Sequence, residues 1–284
     1  MNCDSLGASV AFVQNQGARI YWDEQGAGEP LLLIMGLGYP SVMWHRTRPV
    51  LAKQYRTIAL DNRGSGKSDV PPGPYAMTVM ASDAAAVLDA AGVETAHVFG
   101  LSMGGMIAQE FALQYPSRIR SLILGCTAAG GPTAVRAEAE VNRVLMSRDL
   151  TPEEMAQAMR PFVYDSGTPA EKIEEDLSLR RLWFPKPQGY AAQLQGILAW
   201  ESYSRLSQIT APTLVIHGES DQLVPTANGK LIASRIPGAE LVLLPHASHI
   251  FATDQTEAAH KAILKFLSQH WAGAGKSKDA FTIQ

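Results

Sequence analysis

The apolar and polar positions of the chain follow two rhythms. Near the start, Ala8 to Gln14 and Ala18 to Asp23 alternate with period two around Asn15-Gln16-Gly17, which predicts a β-hairpin. After a turn at Gly26 to Pro30, the run Leu31-Leu32-Leu33-Ile34-Met35 has no polar face, the pattern of a parallel strand buried on both sides. It ends at Gly36-Leu37-Gly38. From there the pattern predicts a helix over Ser41 to Lys53, a strand over Tyr55 to Leu60, a helix over Met77 to Ala91 and a strand over Thr95 to Phe99. A helix from Met103 to just before Pro116 and a strand over Ile119 to Cys126 continue the alternation.

The rhythm breaks after Thr127 and returns at Pro212, with a strand over Thr213 to His217, a helix, a strand over Glu240 to Leu244 and a helix over Thr256 to His270. The stretch between, residues 128–210, is helical in pattern with no strand. The expected fold is therefore α/β: a mostly parallel central sheet with an antiparallel start, flanked by helices, with a helical cap inserted between two late strands. Residues 1–127 and 211–271 form the expected core, 128–210 the cap, and 272–284 a polar, poorly ordered tail.

Composition narrows the range of partners. With 284 residues, 46% hydrophobic and 18% charged, the chain is long enough for a substantial core. A net charge of −3 and the lack of any Lys/Arg cluster remove the electrostatic case for binding nucleic acid. No basic segment followed by an apolar one opens the chain, and no apolar run approaches the roughly 20 residues of a membrane span. Cys3 and Cys126 are too few for a disulfide framework and lack zinc-site spacing. These features predict a reduced, cytoplasmic protein whose partner is a small molecule; a homodimer is compatible with them.

The chemistry concentrates in Gly100-Leu101-Ser102-Met103-Gly104-Gly105, between an apolar strand and a helix. The pattern G-x-S-x-G arises by chance in roughly one chain in ten of this size, so its setting carries the argument. A serine raised on a sharp strand-to-helix turn needs small residues on both sides. Such a serine also needs a base, oriented by an acid. Both follow downstream, each in a loop after a late strand: Gly218-Glu219-Ser220-Asp221 after one, Pro245-His246-Ala247-Ser248-His249 after the next. His249 is preferred to His246 because Ala247-Ser248 supplies small residues where the base must approach Ser102. Backbone N–H groups for an oxyanion are expected from Met103 and from Leu37 in the glycine loop. Arg63-Gly64-Ser65-Gly66-Lys67-Ser68 ends like a phosphate-binding loop, but Asp61 stands where its first glycine belongs, so Asp61 and Arg63 are assigned structural roles.

Together, Met35-Gly36-Leu37-Gly38, Asp61 to Ser68, Gly100 to Gly105, Pro212-Thr213-Leu214, His217 to Asp221 and His249 resemble the α/β-hydrolase superfamily, from about residue 18 to 270. Within it the motifs look like bacterial family V esterases and lipases, and are shared with enol-lactone hydrolases, perhydrolases, carbon–carbon bond hydrolases and methylesterases. The resemblance implies the triad Ser102, Asp221 and His249, with Asp221 preferred to Glu219. It implies hydrolysis of carboxylic esters with small to medium apolar acyl or aromatic groups, without metal or organic cofactor. The family usually carries histidine where Met35 stands, so something else must hold the oxyanion loop. Met35, Trp183, Trp200 and Ile250 are the expected substrate contacts. Most apolar residues of the cap, among them Met146, Met155, Met159, Leu194 and Leu198, are expected to form its own core. The rivals are a lactonase, perhydrolase or carbon–carbon hydrolase using the same triad, and a non-enzymatic small-molecule receptor.

Overall fold

The first hairpin pairs β1 (Val10–Asn15) with β2 (Ala18–Gln25). Its two turn residues, Gln16 at φ 43° and Gly17 at φ 78°, are both left-handed, the geometry whose twist suits a two-residue hairpin. Six strands follow in chain order: β3 (Glu29–Ile34), β4 (Tyr55–Leu60), β5 (Ala96–Leu101), β6 (Ile119–Gly125), β7 (Thr213–Gly218) and β8 (Glu240–Leu244). They complete a sheet of order β1-β2-β4-β3-β5-β6-β7-β8. The β1–β2 and β2–β4 pairs are antiparallel and the rest parallel. This computed structural model describes residues 10–147 and 149–271. The expected tail at 272–284 and Cys3 lie outside the described residues.

The helices, in chain order, are α1 (Arg48–Leu51), α2 (Met77–Ala90), α3 (Met103–Gln114), α4 (Ala139–Leu145), α5 (Pro152–Val163), α6 (Ala170–Arg181), α7 (Pro187–Leu198), α8 (Ala227–Arg235), α9 (Phe251–Asp254) and α10 (Thr256–Gln269). Alternation along the buried strands divides the core into two layers. Leu32, Ile34 and Ile58 face α2 and α3, packing with Met80, Leu88, Ile107 and Phe111. Leu31, Leu33, Ala59 and Phe99 face the other way, toward Ile263, Phe266 and Leu267 of α10. That two-sided burial is why β3 reads as an unbroken apolar run.

The helix expected over Ser41 to Lys53 is broken. A 3₁₀ turn covers Ser41–Trp44, and the four-residue α1 follows. Pro49 has no N–H to bond back to the His45 carbonyl, so a continuous helix would lack that bond, and Arg46 reaches instead to Asp176 on α6.

Between β6 and β7 the chain forms α4 to α7 and a 3₁₀ turn, Tyr203–Gln208. Helices α4, α5 and α6 bury a small core of their own around Val141, Met155, Met159, Ile173 and Leu177. Helix α5 opens with a reciprocal cap between Thr151 and Glu154. Helix α7 differs. Its face of Gly189, Ala192, Gln193 and Gly196 lies on the loop after β4, with Gly189 against the backbone of Gly64 and Gly196 against the Tyr75 carbonyl. The Tyr75 N–H donates to the Ala192 carbonyl (3.0 Å), and Ala192 joins the main core.

Candidate active site

Ser102 lies between the end of β5 and the first turn of α3 at φ 57° and ψ −120°, a strained backbone for a residue with a Cβ. The glycines around it have steric reasons. A Cβ at Gly100 would overlap the Gly104 carbonyl, one at Gly104 the Ile34 carbonyl, and one at Gly105 the Thr127 side chain. The turn is pinned where the Ser102 N–H donates to the Gly125 carbonyl (2.8 Å) and the Thr127 hydroxyl donates to the Ser102 carbonyl (2.7 Å). Met103 is the first residue of α3, so its N–H lies in the first helical turn, where donors have no acceptor within the helix.

Asp221 and His249 meet as the loops after β7 and β8 converge. His249 Nδ1 lies 2.9 Å from Asp221 Oδ2, and Asp221 Oδ1 accepts from the N–H groups of Leu223 (3.0 Å) and Val224 (2.8 Å). Burial alone would raise the Asp221 carboxyl, but the charge and hydrogen bond of His249, together with His217, outweigh it and hold the group well below the usual carboxylate range. An ionised carboxylate only accepts, so Nδ1 of His249 is the donor of this bond, and in the neutral imidazole Nε2 is then the nitrogen left to accept a proton. The rejected alternatives, Glu219 and His246, are both exposed.

Ser102 and His249 line one cavity of about 280 Å³. Met35, Leu37, Met103 and Ile250 line it too. Trp183 does not: it lines a separate cavity with Tyr21, Asp61 and Lys67. Trp200 is turned into the main core, its indole N–H donating to Glu110 (2.9 Å). Of the residues expected as cap core, Met155 and Met159 do bury in the core of α4 to α6 and also reach the cavity wall, where Met146, Leu194 and Leu198 join them.

The glycine loop lies against the serine, since a Cβ on Gly36 would sit 3.1 Å from the Ser102 Cβ. Two side chains hold it in place of the missing histidine. Asn62 Nδ2 donates to the Met35 carbonyl (2.8 Å), and Gln193 Oε1 of α7 accepts the Gly38 N–H (2.8 Å). Gln193 is fully buried, and its Nε2 donates to the Arg63 carbonyl (2.7 Å) and the Ser65 hydroxyl (2.9 Å). Sequence reasoning passed over Gln193. Its signal is the small-residue face of α7, a close-packing stripe interrupted by one amide. Asp61 accepts backbone N–H groups of Ser41 and Lys67, while Arg63 pairs with buried Asp83 (2.7 Å). The phosphate-loop-like segment is thus occupied with structure.

A polar wall was also missed. Asp176 Oδ1 lies 3.0 Å from both Arg46 Nε and His45 Nε2, and its Oδ2 accepts from Thr253 (2.7 Å) and Tyr164 (3.2 Å). Burial would raise this carboxyl, but His45, Thr253 and Arg46 hold it below the usual range. Cys126, His217 and Asp221 bring potential ligand atoms within 4.8 Å of one another. Each is already engaged: His217 Nε2 lies 2.8 Å from the Val224 carbonyl, burial raises the Cys126 thiol so that it keeps its proton, and Asp221 serves His249.

Residues 29–163 match the family model described as alpha/beta hydrolase fold, and residues 195–274 match one described as TAP-like protein. RutD of Azorhizobium caulinodans, provisionally named a carbamate hydrolase, is 34% identical over 264 residues, covering 92% of this chain and 99% of its own. The chain belongs to the α/β-hydrolase superfamily. This α/β-hydrolase is also 31% identical to 3-oxoadipate enol-lactonase 2 of Acinetobacter baylyi, over 84% of this chain and 88% of that one. Among solved structures, a thermophilic esterase from Thermogutta terrifontis superposes with a TM-score of 0.81 at 29% identity, covering 93% of this chain and 100% of the other. These relatives all carry names of hydrolases, and the chain is a hydrolase with them. Among its described residues, no helix is long and apolar enough to cross a membrane.

Proposed function

We propose that this hydrolase cleaves carboxylic esters through an acyl-enzyme on Ser102. The observation that carries the reading is the Asp221–His249 bond, made beside a strained serine in a mostly apolar cavity. In the first step, Ser102 Oγ attacks the ester carbonyl carbon while His249 Nε2 takes its proton, and Asp221 stabilises the imidazolium. The oxyanion is received by the N–H groups of Leu37 and Met103, the latter aided by the positive end of α3. Collapse breaks the bond to the alkoxy oxygen, which leaves with the proton from His249. Water then attacks the acyl carbonyl, giving its proton to His249, and the carboxylic acid departs as Ser102 recovers its proton.

The cavity lining of Met35, Met106, Met155, Met159, Leu194 and Ile197 favours apolar acyl groups over sugars or polyanions. The names of the esterase and the enol-lactonase agree with ester chemistry, open-chain in one and cyclic in the other. The test is steady turnover of 4-nitrophenyl butyrate, compared with a 4-nitrophenyl carbamate and an enol-lactone. An ethyl 4-nitrophenyl phosphonate should label Ser102, and Ser102→Ala should abolish both turnover and label. Phosphorus on another residue, or carbamate turnover far above that of every ester, overturns the reading. Tight ligand binding without turnover would instead identify a receptor.

A further inference from the structure

Three arginines on or beside α6 differ in how their charge is met. Arg181 is exposed and pairs with Glu153 (3.1 Å) and Glu174. Arg46 reaches Asp176 (3.0 Å) and Glu175 (2.7 Å). Arg180 turns into the cavity that holds Ser102, and among the described residues no carboxylate pairs with it. Its Nη1 donates to the Tyr39 hydroxyl, and its guanidinium carbon lies 4.3 Å from the Tyr39 ring centroid. Its Nε is buried and has no hydrogen-bond partner. A basic residue near the C-terminus of a helix has a structural reason in the helix dipole. That reason is met equally by exposed Arg181, and it does not explain an inward guanidinium with a buried, idle donor, an arrangement that costs free energy.

Among the described residues, the cavity lining itself holds two arginines, Arg46 and Arg180, against one carboxylate, Asp176. Asp176 is the carboxylate of the cavity lining, and Arg46 together with the hydroxyls of Thr253 and Tyr164 satisfies it. No carboxylate among the described residues contacts the Arg180 guanidinium, which is left facing the cavity. One edge of its fork, Nε with Nη2, matches the two oxygens of a carboxylate. The Tyr39 hydroxyl accepts from Nη1 and so keeps its own proton to donate.

We propose that Arg180 and Tyr39 form an anion subsite in the cap wall of the cavity, and that the preferred esters carry a carboxylate remote from the scissile carbonyl. The apolar lining between would hold the methylene chain that separates the two groups. This deepens the ester reading and rests on it.

The test compares mono-4-nitrophenyl esters of adipate, pimelate and suberate with neutral 4-nitrophenyl alkanoates of matched length. The ratio of kcat/KM, anionic over neutral, should exceed one in the natural protein at one chain length. Arg180→Met should lower that ratio about 10- to 100-fold, chiefly through KM, as expected for loss of a charge-assisted pair of bonds. Arg180→Lys should recover part of it, and Arg180→Glu should invert it. Melting temperatures of all three variants identify any that fail to fold, and Tyr39→Phe gives an independent, smaller drop in the ratio. A ratio unchanged by Arg180→Met and Arg180→Glu, in folded protein, overturns the proposal. Calorimetric titration of Ser102→Ala with adipate separates the two readings. Binding that Arg180→Met removes upholds the subsite even if no ester turns over, whereas ester turnover without adipate binding leaves the esterase reading standing and the subsite refuted.

Discussion

Ser102 holds φ 57° with a Cβ attached, which costs about 1–3 kcal/mol and is tolerated because Gly125, Thr127 and the start of α3 fix the turn. Glycine adopts these angles freely but loses more chain entropy on folding, about 0.4–1 kcal/mol. Ser102→Gly should therefore be more stable than Ser102→Ala by about 1 kcal/mol, read from urea unfolding; equal midpoints would mean that the turn stores no strain. Asp221 sets a pH dependence. Its folded-state carboxyl lies below its unfolded value, so its stabilisation is fully present above about pH 4 and fades as pH falls further. The stability gap between the natural protein and Asp221→Asn should shrink as pH falls below about 4. At pH 7 the same variant should lose about 10³- to 10⁴-fold in kcat. The turn at Ser102 and the meeting of Asp221 with His249 were legible because chain order and loops after strands place them. Gln193 was not, because its partner Gly38 lies 155 positions away and an amide on a helix carries no motif. Gln193→Met should lower kcat about 10- to 100-fold with KM within about threefold, since a loosened loop weakens oxyanion binding more than ester binding. A rise in KM at constant kcat would assign Gln193 to substrate binding instead.

At the scale of elements, the strands were the most readable part. β4 spans Tyr55–Leu60 as expected, because a run buried on both faces leaves little freedom of boundary or register. The stretch after the glycine loop was misread as one helix, since the pull of Asp176 on Arg46 comes from α6, about 130 residues later. Helix α7 was readable as a helix but not for what it touches. Its Gly189 and Gly196 allow backbone contact with Gly64 and Tyr75, and backbone cannot yield as a flexible side chain does. Gly196→Ala would gain helix propensity of up to about 1 kcal/mol and still be expected to destabilise by about 1–3 kcal/mol, because the new Cβ overlaps the Tyr75 carbonyl. It should also lower kcat, because Gln193 is carried on the same helix. A Gly196→Ala protein more stable than the natural one would show that α7 can lift from the loop without cost.

The whole molecule therefore has its helical insertion tied down unequally. Helices α4 to α6 share a core of their own, against which Leu223 and Ile250 of the body pack, and are joined to the body by polar anchors: buried Asp176 to Arg46 (3.0 Å) and Thr253 (2.7 Å), Ser220 to Asp165 (2.8 Å), Thr168 to Asp254 (2.6 Å) and the Ile250 N–H to the Val163 carbonyl (2.9 Å). Helix α7 and Trp200 instead join the main core. The sequence could show that residues 128–210 are helical, but not this division, because a helix bound to a separate small core and one bound to the sheet domain have the same period. Local opening should follow the division, since free energies of opening track the contacts that each segment must break. In native-state hydrogen exchange, amides of α4 to α6 should exchange at least about tenfold faster than those of α7, which should be protected like α3. Substrate would then enter as α4 to α6 part from the body, while α7 keeps Gln193 on the Gly38 N–H and the glycine loop stays formed. A covalent phosphonate on Ser102 should slow exchange in α4 to α6 and leave α7 unchanged. If α7 exchanged with α4 to α6 as one unit, the insertion would open as a single lid, and each opening would release the loop that Gln193 holds.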